Sequence, residues 1–422
     1  MGSTNGSNGC ALSNFRYIPL SYNNADSQAS ALRLVLTLNP DWEGPGNKIE
    51  FVRFTDGITN TLLKIINRKP GWTDEQIDNE AVLMRAYGNH TEILIDRERE
   101  MNSHALLSTR GLAPPLLARF QNGLLYRFVR GRVATAADLV TPSIWRGVAR
   151  RLGQWHAVLP INESDVSIPA KTLSTIHQVE LDSEHPKPKD DLQVIQPRRP
   201  GPSMWAVLQK WVLALPTATE DQRARRLQLQ KELERVVAEF DDGKGIGEDG
   251  LVFAHCDLLS ANVIVLPSTD SARAKGEPES THFIDYEYAV PAPAAFDIAN
   301  HFAEWGGYDC DYGMMPTRSV RRQFLTEYVQ SYCQFNGATK LSQEEIVNRL
   351  YEDVDRFRGI PGLYWGVWGL IQAQISQIDF DYASYAETRL GEYYAWRREE
   401  DGSRSASGEE MPLRELRWAQ EA

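Results

Sequence analysis

Three polar residues stand between apolar runs at a spacing that suits phosphoryl transfer. The segment from Leu251 to Val265 is an apolar run, then His255-x-Asp257-x-x-x-x-Asn262, then a second apolar run. In phosphoryl transfer an Asp so placed accepts the hydroxyl proton of the acceptor, and an Asn five residues on returns to the site to ligate Mg²⁺. The spacing suits a loop between two short strands, which can aim both side chains into one cleft. Alone, the pattern is weak, because Asp and Asn in loops are also ordinary turn-formers. A second element sharpens it. His282-Phe283-Ile284 reads as an apolar strand that delivers Asp285 at its end, as a Mg²⁺-binding carboxylate must be delivered.

Upstream, Arg85 lies inside the strand-like Val82 to Tyr87, where a nucleotide-binding cation would be expected. Arginine keeps its charge and can fork onto phosphate oxygens. Glu100, at the start of the next helix, is placed to pair with it. Asp56-Gly57-Ile58-Thr59-Asn60 reads as a hairpin turn whose backbone could cover phosphates, although it is not a GxGxxG loop. Phe128 and Val129, closing the strand-like run from Gly123, complete the candidate ATP contacts. Near the C-terminus, Trp365, Trp368 and Gln372 fall at helical spacing on one face, and Tyr385 follows on the next helix. Such a stripe is usually core. It could also wall an alkylammonium group by cation–π contact.

The elements that must position these residues change character along the chain. Residues 1–45 read as a disordered or loosely docked segment, its first thirty positions rich in Ser, Asn and Gly. Residues 46–129 read as a small strand-rich lobe: Ile49 to Phe54, Thr61 to Ile66, Ala81 to Tyr87, Glu92 to Ile95 and Gly123 to Val129 as strands, with a helix from Met101 to Thr109. Residues 130–400 read as a larger, mainly helical lobe, with helices at Trp145 to Val158, Met204 to Leu215 and Asp221 to Phe240. Polar, Pro-rich loops fall at 162–202 and 268–280. Residues 401–422 read as a charged, frayed tail. The fold class expected is α+β, with an antiparallel sheet in the small lobe.

The bulk numbers remove other functions. A net charge of −12 gives no electrostatic support to a nucleic-acid or anionic-membrane partner. Four cysteines without CxxC spacing suit a reducing compartment. With no membrane-length apolar run and no secretory pattern at the N-terminus, a cytoplasmic location without membrane insertion is expected.

These motifs resemble the choline/ethanolamine kinase family, a relative of the protein-kinase and aminoglycoside-phosphotransferase fold. The resemblance runs from roughly Phe51 to Arg389. It rests on FTDGITN (54–60), AHCDLLSAN (254–262), FIDYEYA (283–289), AFDIANHFAEW (295–305) and YWGVWGLIQAQIS (364–376). The stretch Tyr87 to Arg97 looks more like the ethanolamine kinases. The resemblance implies a bilobal protein-kinase-like fold with ATP and Mg²⁺ as cofactors. It implies Asp257 as catalytic base, Asn262 and Asp285 on magnesium, and Arg85 with Glu100 holding ATP. Glu304, Trp365, Trp368 and Tyr385 would surround the amine, and His255 and Asp297 would support the catalytic loop; for Asp297 the plain alternative is a helix N-cap. Cys256 departs from the pattern, since many relatives have Asn there. So does Val290 to Pro293, where a more polar segment is usual.

The reading is ethanolamine kinase, with ATP and ethanolamine as small-molecule partners and a homodimer left open. A choline or broad amino-alcohol kinase is the enzyme rival, and a nucleotide-binding pseudokinase acting as an interaction module the rival of another class.

Overall fold

The computed structural model describes residues 16–54, 60–88, 94–161, 194–268, 275–337, 341–376 and 378–422. The chain divides into two compact units. Of the described residues, the first holds 16–88 and 97–130, and the second 94–96, 131–161 and 194–422.

The first unit is a six-stranded sheet built from β1 (Tyr17–Ile18), β2 (Lys48–Phe54), β3 (Asn60–Arg68), β4 (Val82–Tyr87), β5 (Leu116–Phe120) and β6 (Gly123–Arg127), in the order β1-β5-β6-β4-β3-β2. All pairings are antiparallel except β1 with β5. Alternation decides the faces. Leu63 and Ile65 of β3 and Val82, Met84 and Ala86 of β4 enter one apolar cluster, so Arg85 points to the opposite face. Against that cluster packs α1 (Ser27–Leu38), through Ala31, Leu34, Val35 and Leu38. The described part of the N-terminal segment, residues 16–45, is therefore folded rather than loosely docked. The apolar residues of Ala31-Leu32-Arg33-Leu34-Val35-Leu36 recur at helical spacing and cover the sheet. On the other face lie α2 (Asp74–Glu80), whose Ile77 packs with Ile66, and α3 (Arg97–Thr109), whose Glu100 pairs with Arg85. The turn at Asp56, Gly57, Ile58 and Thr59 lies outside the described residues, as do 89–93 of the Tyr87 to Arg97 stretch.

The second unit is mainly helical. Its helices are α4 (Ala136–Leu139), α5 (Pro142–Val158), α6 (Met204–Ala214), α7 (Glu220–Phe240), α8 (Ala294–Ala303), α9 (Arg318–Asn336), α10 (Gln343–Phe357), α11 (Ile360–Ile375), α12 (Tyr382–Glu400), α13 (Ser403–Ser407) and α14 (Leu413–Ala419). Two small antiparallel sheets are set among them. One has the order β10-β9-β7, with β7 (Arg132–Val133), β9 (Val263–Val265) and β10 (Thr281–Phe283); the other pairs β8 (Val252–Ala254) with β11 (Val290–Ala292). Leu94 and Ile95, read as strand, sit instead in a turn, where their burial and a hydrogen bond from Trp211 Nε1 to the Leu94 carbonyl (3.4 Å) replace ladder pairing. The tail is not frayed. Trp418 is buried and its Nε1 donates to Asp355 Oδ1 (2.7 Å), while Arg321 Nη1 donates to the Trp418 carbonyl (3.0 Å). Among the described residues no helix is long and apolar enough to cross a membrane.

Candidate active site

β8 ends at Ala254 and β9 begins at Val263, so the chain between them must reverse in eight residues. The two strands belong to different sheets, and the loop is held by hydrogen bonds rather than by a hairpin ladder. The Asn262 Nδ2 donates to the Asp257 carbonyl (2.8 Å) and to its Oδ2 (3.0 Å), which closes the loop on itself. Among the described residues the amide nitrogen of Asn262 is the end so engaged. The Ile284 N–H donates to the Asn262 carbonyl (3.0 Å), which draws the residue before Asp285 to the same loop. His255 ties the two motifs a second time: its Nδ1 accepts from the Asp257 N–H (3.3 Å) and its Nε2 donates to the Ile284 carbonyl (3.1 Å). That pattern fits a neutral ring, and burial pushes its pKa down. Burial, and after it the charges of Asp285, Glu304 and Glu287, push the Asp257 carboxyl well above the usual carboxylate range, against the hydrogen bond from Asn262.

One helix grips this loop. On α8, Asp297, Asn300 and His301 follow the i, i+3, i+4 spacing of a single face, and all three are fully buried. Asp297 accepts from the His255 N–H (2.9 Å) and the Cys256 N–H (2.7 Å). Asn300 Nδ2 donates to the Cys256 carbonyl (3.0 Å), and His301 Nδ1 donates to the Leu258 carbonyl (2.7 Å) while its Nε2 accepts from Trp305 (3.1 Å). Burial lowers the His301 pKa to about 4, as a neutral donor and acceptor requires. Asp297 is no helix cap: its carboxylate serves the loop and His156 of α5, whose Nε2 lies 2.9 Å away. Burial alone would raise its pKa, but His156 holds it below the ordinary value. Sequence reading singled out Asp297 and missed Asn300, His301 and His156.

The aromatic stripe is tied to α8 and to the segment that follows Asp285. Trp365 Nε1 donates to Asn300 Oδ1 (2.7 Å), and Trp368 Nε1 to the Tyr288 hydroxyl (2.8 Å). Their rings meet edge-on at 5.5 Å, and Tyr385 packs on Trp368 at 6.3 Å. Tyr308 adds a half-exposed ring against Tyr385 (6.5 Å), within electrostatic reach of Asp257, Glu304 and Asp285. Glu304, at the C-terminal end of α8, is buried and bonded to Arg389 of α12 (Oε1 to Nη2, 3.2 Å). Burial raises its pKa and Arg389 opposes the rise. Neither Tyr308 nor Arg389 was singled out from sequence.

In the first unit, Arg85 and Glu100 meet at 3.3 Å, both buried. Glu100 also takes Arg97 Nη1 at 2.9 Å, and Arg97 reaches Asn60 Oδ1 (3.3 Å) and lies over the Tyr87 ring (4.2 Å). Phe128 stacks on Phe54 (6.5 Å) with Lys64 over its ring (3.8 Å), and Val129 follows it past the end of β6, both half-buried.

A buried carboxyl closed on an amide, a second carboxyl brought to the same loop and a buried arginine–glutamate pair on a sheet are what a phosphotransferase would need. The description "choline/ethanolamine kinase" belongs to the family model that matches residues 51–394, and the chain belongs to that family. Among curated relatives, a probable ethanolamine kinase of Nematostella vectensis is 32% identical over 376 residues, covering 87% of this chain and 93% of its own. Ethanolamine kinase 1 of Mus musculus is 31% identical, covering 87% and 89%. Among solved structures, an ethanolamine kinase of Plasmodium vivax superposes with a TM-score of 0.64 at 24% identity, covering 87% of this chain and 88% of its own. A choline kinase of Cryptosporidium parvum gives 0.60 at 20%, covering 89% and 97%. At those identities the two structures speak to the fold alone, which is the one expected: a small antiparallel-sheet unit and a larger helical one.

Proposed function

We propose that this chain transfers the γ-phosphoryl group of ATP to the hydroxyl of ethanolamine, giving phosphoethanolamine, in the cytoplasm. The observation that carries the reading is Asp257, a buried carboxylate whose raised pKa suits a base, closed on Asn262 and held by α8 in a chain of this family. Asp257 takes the acceptor's hydroxyl proton as the oxygen attacks phosphorus. Asn262 and Asp285 are the magnesium ligands of this reading. With the amide nitrogen spent on Asp257, Asn262 has a hard oxygen to offer, and Asp285 adds a carboxylate; hard oxygens are what Mg²⁺ takes. Magnesium held there would neutralise charge on the transferring phosphoryl group. Arg85, steadied by Glu100, binds ATP phosphates, and Phe128 and Val129 contact the nucleotide.

For the acceptor, a primary ammonium has three N–H donors and wants an oxygen such as that of Glu304. Trp365, Trp368 and Tyr385 would wall its carbon side. That wall also favours choline, which has no N–H and is held by cation–π contact. The relatives named as ethanolamine kinases support the primary amine. In an ADP-release assay with ethanolamine, Asp257→Asn lowers kcat by about 10²- to 10⁴-fold while ATP binding survives. Near-normal turnover by a folded variant would overturn the assignment of the base.

A further inference from the structure

The second unit contains a row of alternating charges that starts at Glu304, reaches the C-terminal helix at Arg414 and Glu415, and passes on to Arg358, whose Nε lies 2.8 Å from Glu415 Oε2. Arg389 Nη2 holds Glu304 Oε1 at 3.2 Å, and Arg389 Nη1 stands 3.5 Å from Glu392 Oε2. The same Glu392 oxygen faces Arg414 Nε at 3.9 Å; Arg414 Nη1 meets Glu415 Oε1 at 2.9 Å. Glu304, Arg389, Glu392, Arg414 and Glu415 are all buried. Glu392 Oε2 accepts no hydrogen bond from the described residues; the charge of Glu392 is met by Arg389 and Arg414 at ion-pair distance and by the Tyr312 hydroxyl. Arg414 and Glu415 lie on α14, beyond residue 394, where the family match ends. The tail therefore supplies a charge to a row that begins at the candidate acceptor site.

We propose that Arg414 is a positioning residue for the acceptor: by holding the charge of Glu392 it leaves Arg389 to orient Glu304. The inference rests on the reading of Glu304 as the ammonium-binding group. Removing one partner of a buried ion pair leaves the other uncompensated. Without the Arg414 charge, Glu392 draws the Arg389 guanidinium towards itself, and its own negative charge bears on Glu304. Glu304 then loses both its orientation and part of its ionisation, and a cationic acceptor loses its partner.

The test is steady-state kinetics on the full chain with Arg414→Gln, Arg414→Lys, Glu304→Gln and the double variant Arg414→Gln/Glu392→Gln. Arg414→Gln is expected to raise KM for ethanolamine about five- to twentyfold, with kcat and KM for ATP within about twofold. Arg414→Lys recovers most of that loss. The double variant, which removes one charge of each sign, returns KM towards the parent value although it lacks one more native side chain. An unchanged ethanolamine KM in folded Arg414→Gln would overturn the inference. So would a joint rise of both KM values with a falling Tm, or a double variant worse than the single one, since each is what a merely structural contact gives. Glu304→Gln separates the two readings. If it raises the ethanolamine KM and Arg414→Gln does not, the relay alone fails; if it leaves that KM unchanged, the acceptor assignment fails and the relay with it.

Discussion

Cys256, one residue before Asp257, and Asp285 both hold positive φ, 62° and 64°. Side chains other than Gly and Asn or Asp adopt that left-handed region at a cost. Asp285 belongs to the tolerant class; Cys256 does not, and stands where the resemblance puts Asn in many relatives. The conformation persists because Asp297 takes the Cys256 N–H and Asn300 its carbonyl, which over-determines the backbone. Residue type and spacing singled out Asp257, Asn262 and Asp285, and hydrogen bonds join Asp257 to Asn262 and Asn262 to the residue before Asp285. The left-handed turn was not legible, because nothing about a cysteine announces it. Cys256→Val changes volume little but adds β-branching at positive φ, and chemical denaturation is expected to report a loss of about 1–3 kcal/mol. A midpoint equal to that of the parent would mean the loop relaxes out of this conformation freely.

At the scale of elements, α8 and the α11–α12 pair position the chemistry. The polar face of α8 was legible as a motif and not as a device: three polar residues at i, i+3, i+4 read equally as a solvent face, and here they are buried against loop backbone. The tryptophan stripe shows the converse. Trp365 and Trp368 are largely core, as such stripes usually are, yet their indole N–H groups bond Asn300 and Tyr288. What lets α11 present them is its other side, where α12 packs close. A Cβ at Gly366 would lie 2.5 Å from Leu390 Cγ, and one at Gly362 would lie 2.6 Å from the Arg389 carbonyl oxygen. Gly366→Ala should therefore spread the two helices that carry Trp365, Trp368, Tyr385 and Arg389. It is expected to cost about 1–3 kcal/mol of stability and to raise KM for the acceptor more than KM for ATP. Thermal unfolding and the two KM values check it, and equal effects on both substrates would count against a role for this packing in the acceptor site.

For the whole molecule, the change from strand-rich to helical character was legible from hydrophobic period, because a period of 2 and one of 3.6 are different patterns in the chain. Residues 16–45 and the C-terminal tail depart from expectation for one reason: low-complexity or charged surroundings hide short apolar patterns, those of Leu34 and Val35 in α1 and of Trp418 in α14, whose burial depends on distant partners. These ends reach beyond the family match at 51–394, so resemblance could not supply them. A site that hydrogen-bonds an N–H rejects analogues without one, because its acceptor would be left buried and unsatisfied. The direct measurement is kcat/KM with Mg²⁺ and ATP for ethanolamine, its N-methylated forms and choline. The account predicts a graded fall along that series, with ethanolamine ahead of choline by at least about tenfold, or ~1.4 kcal/mol in the transition state. Choline used as well as ethanolamine, or ADP release that no amino-alcohol stimulates, would contradict it.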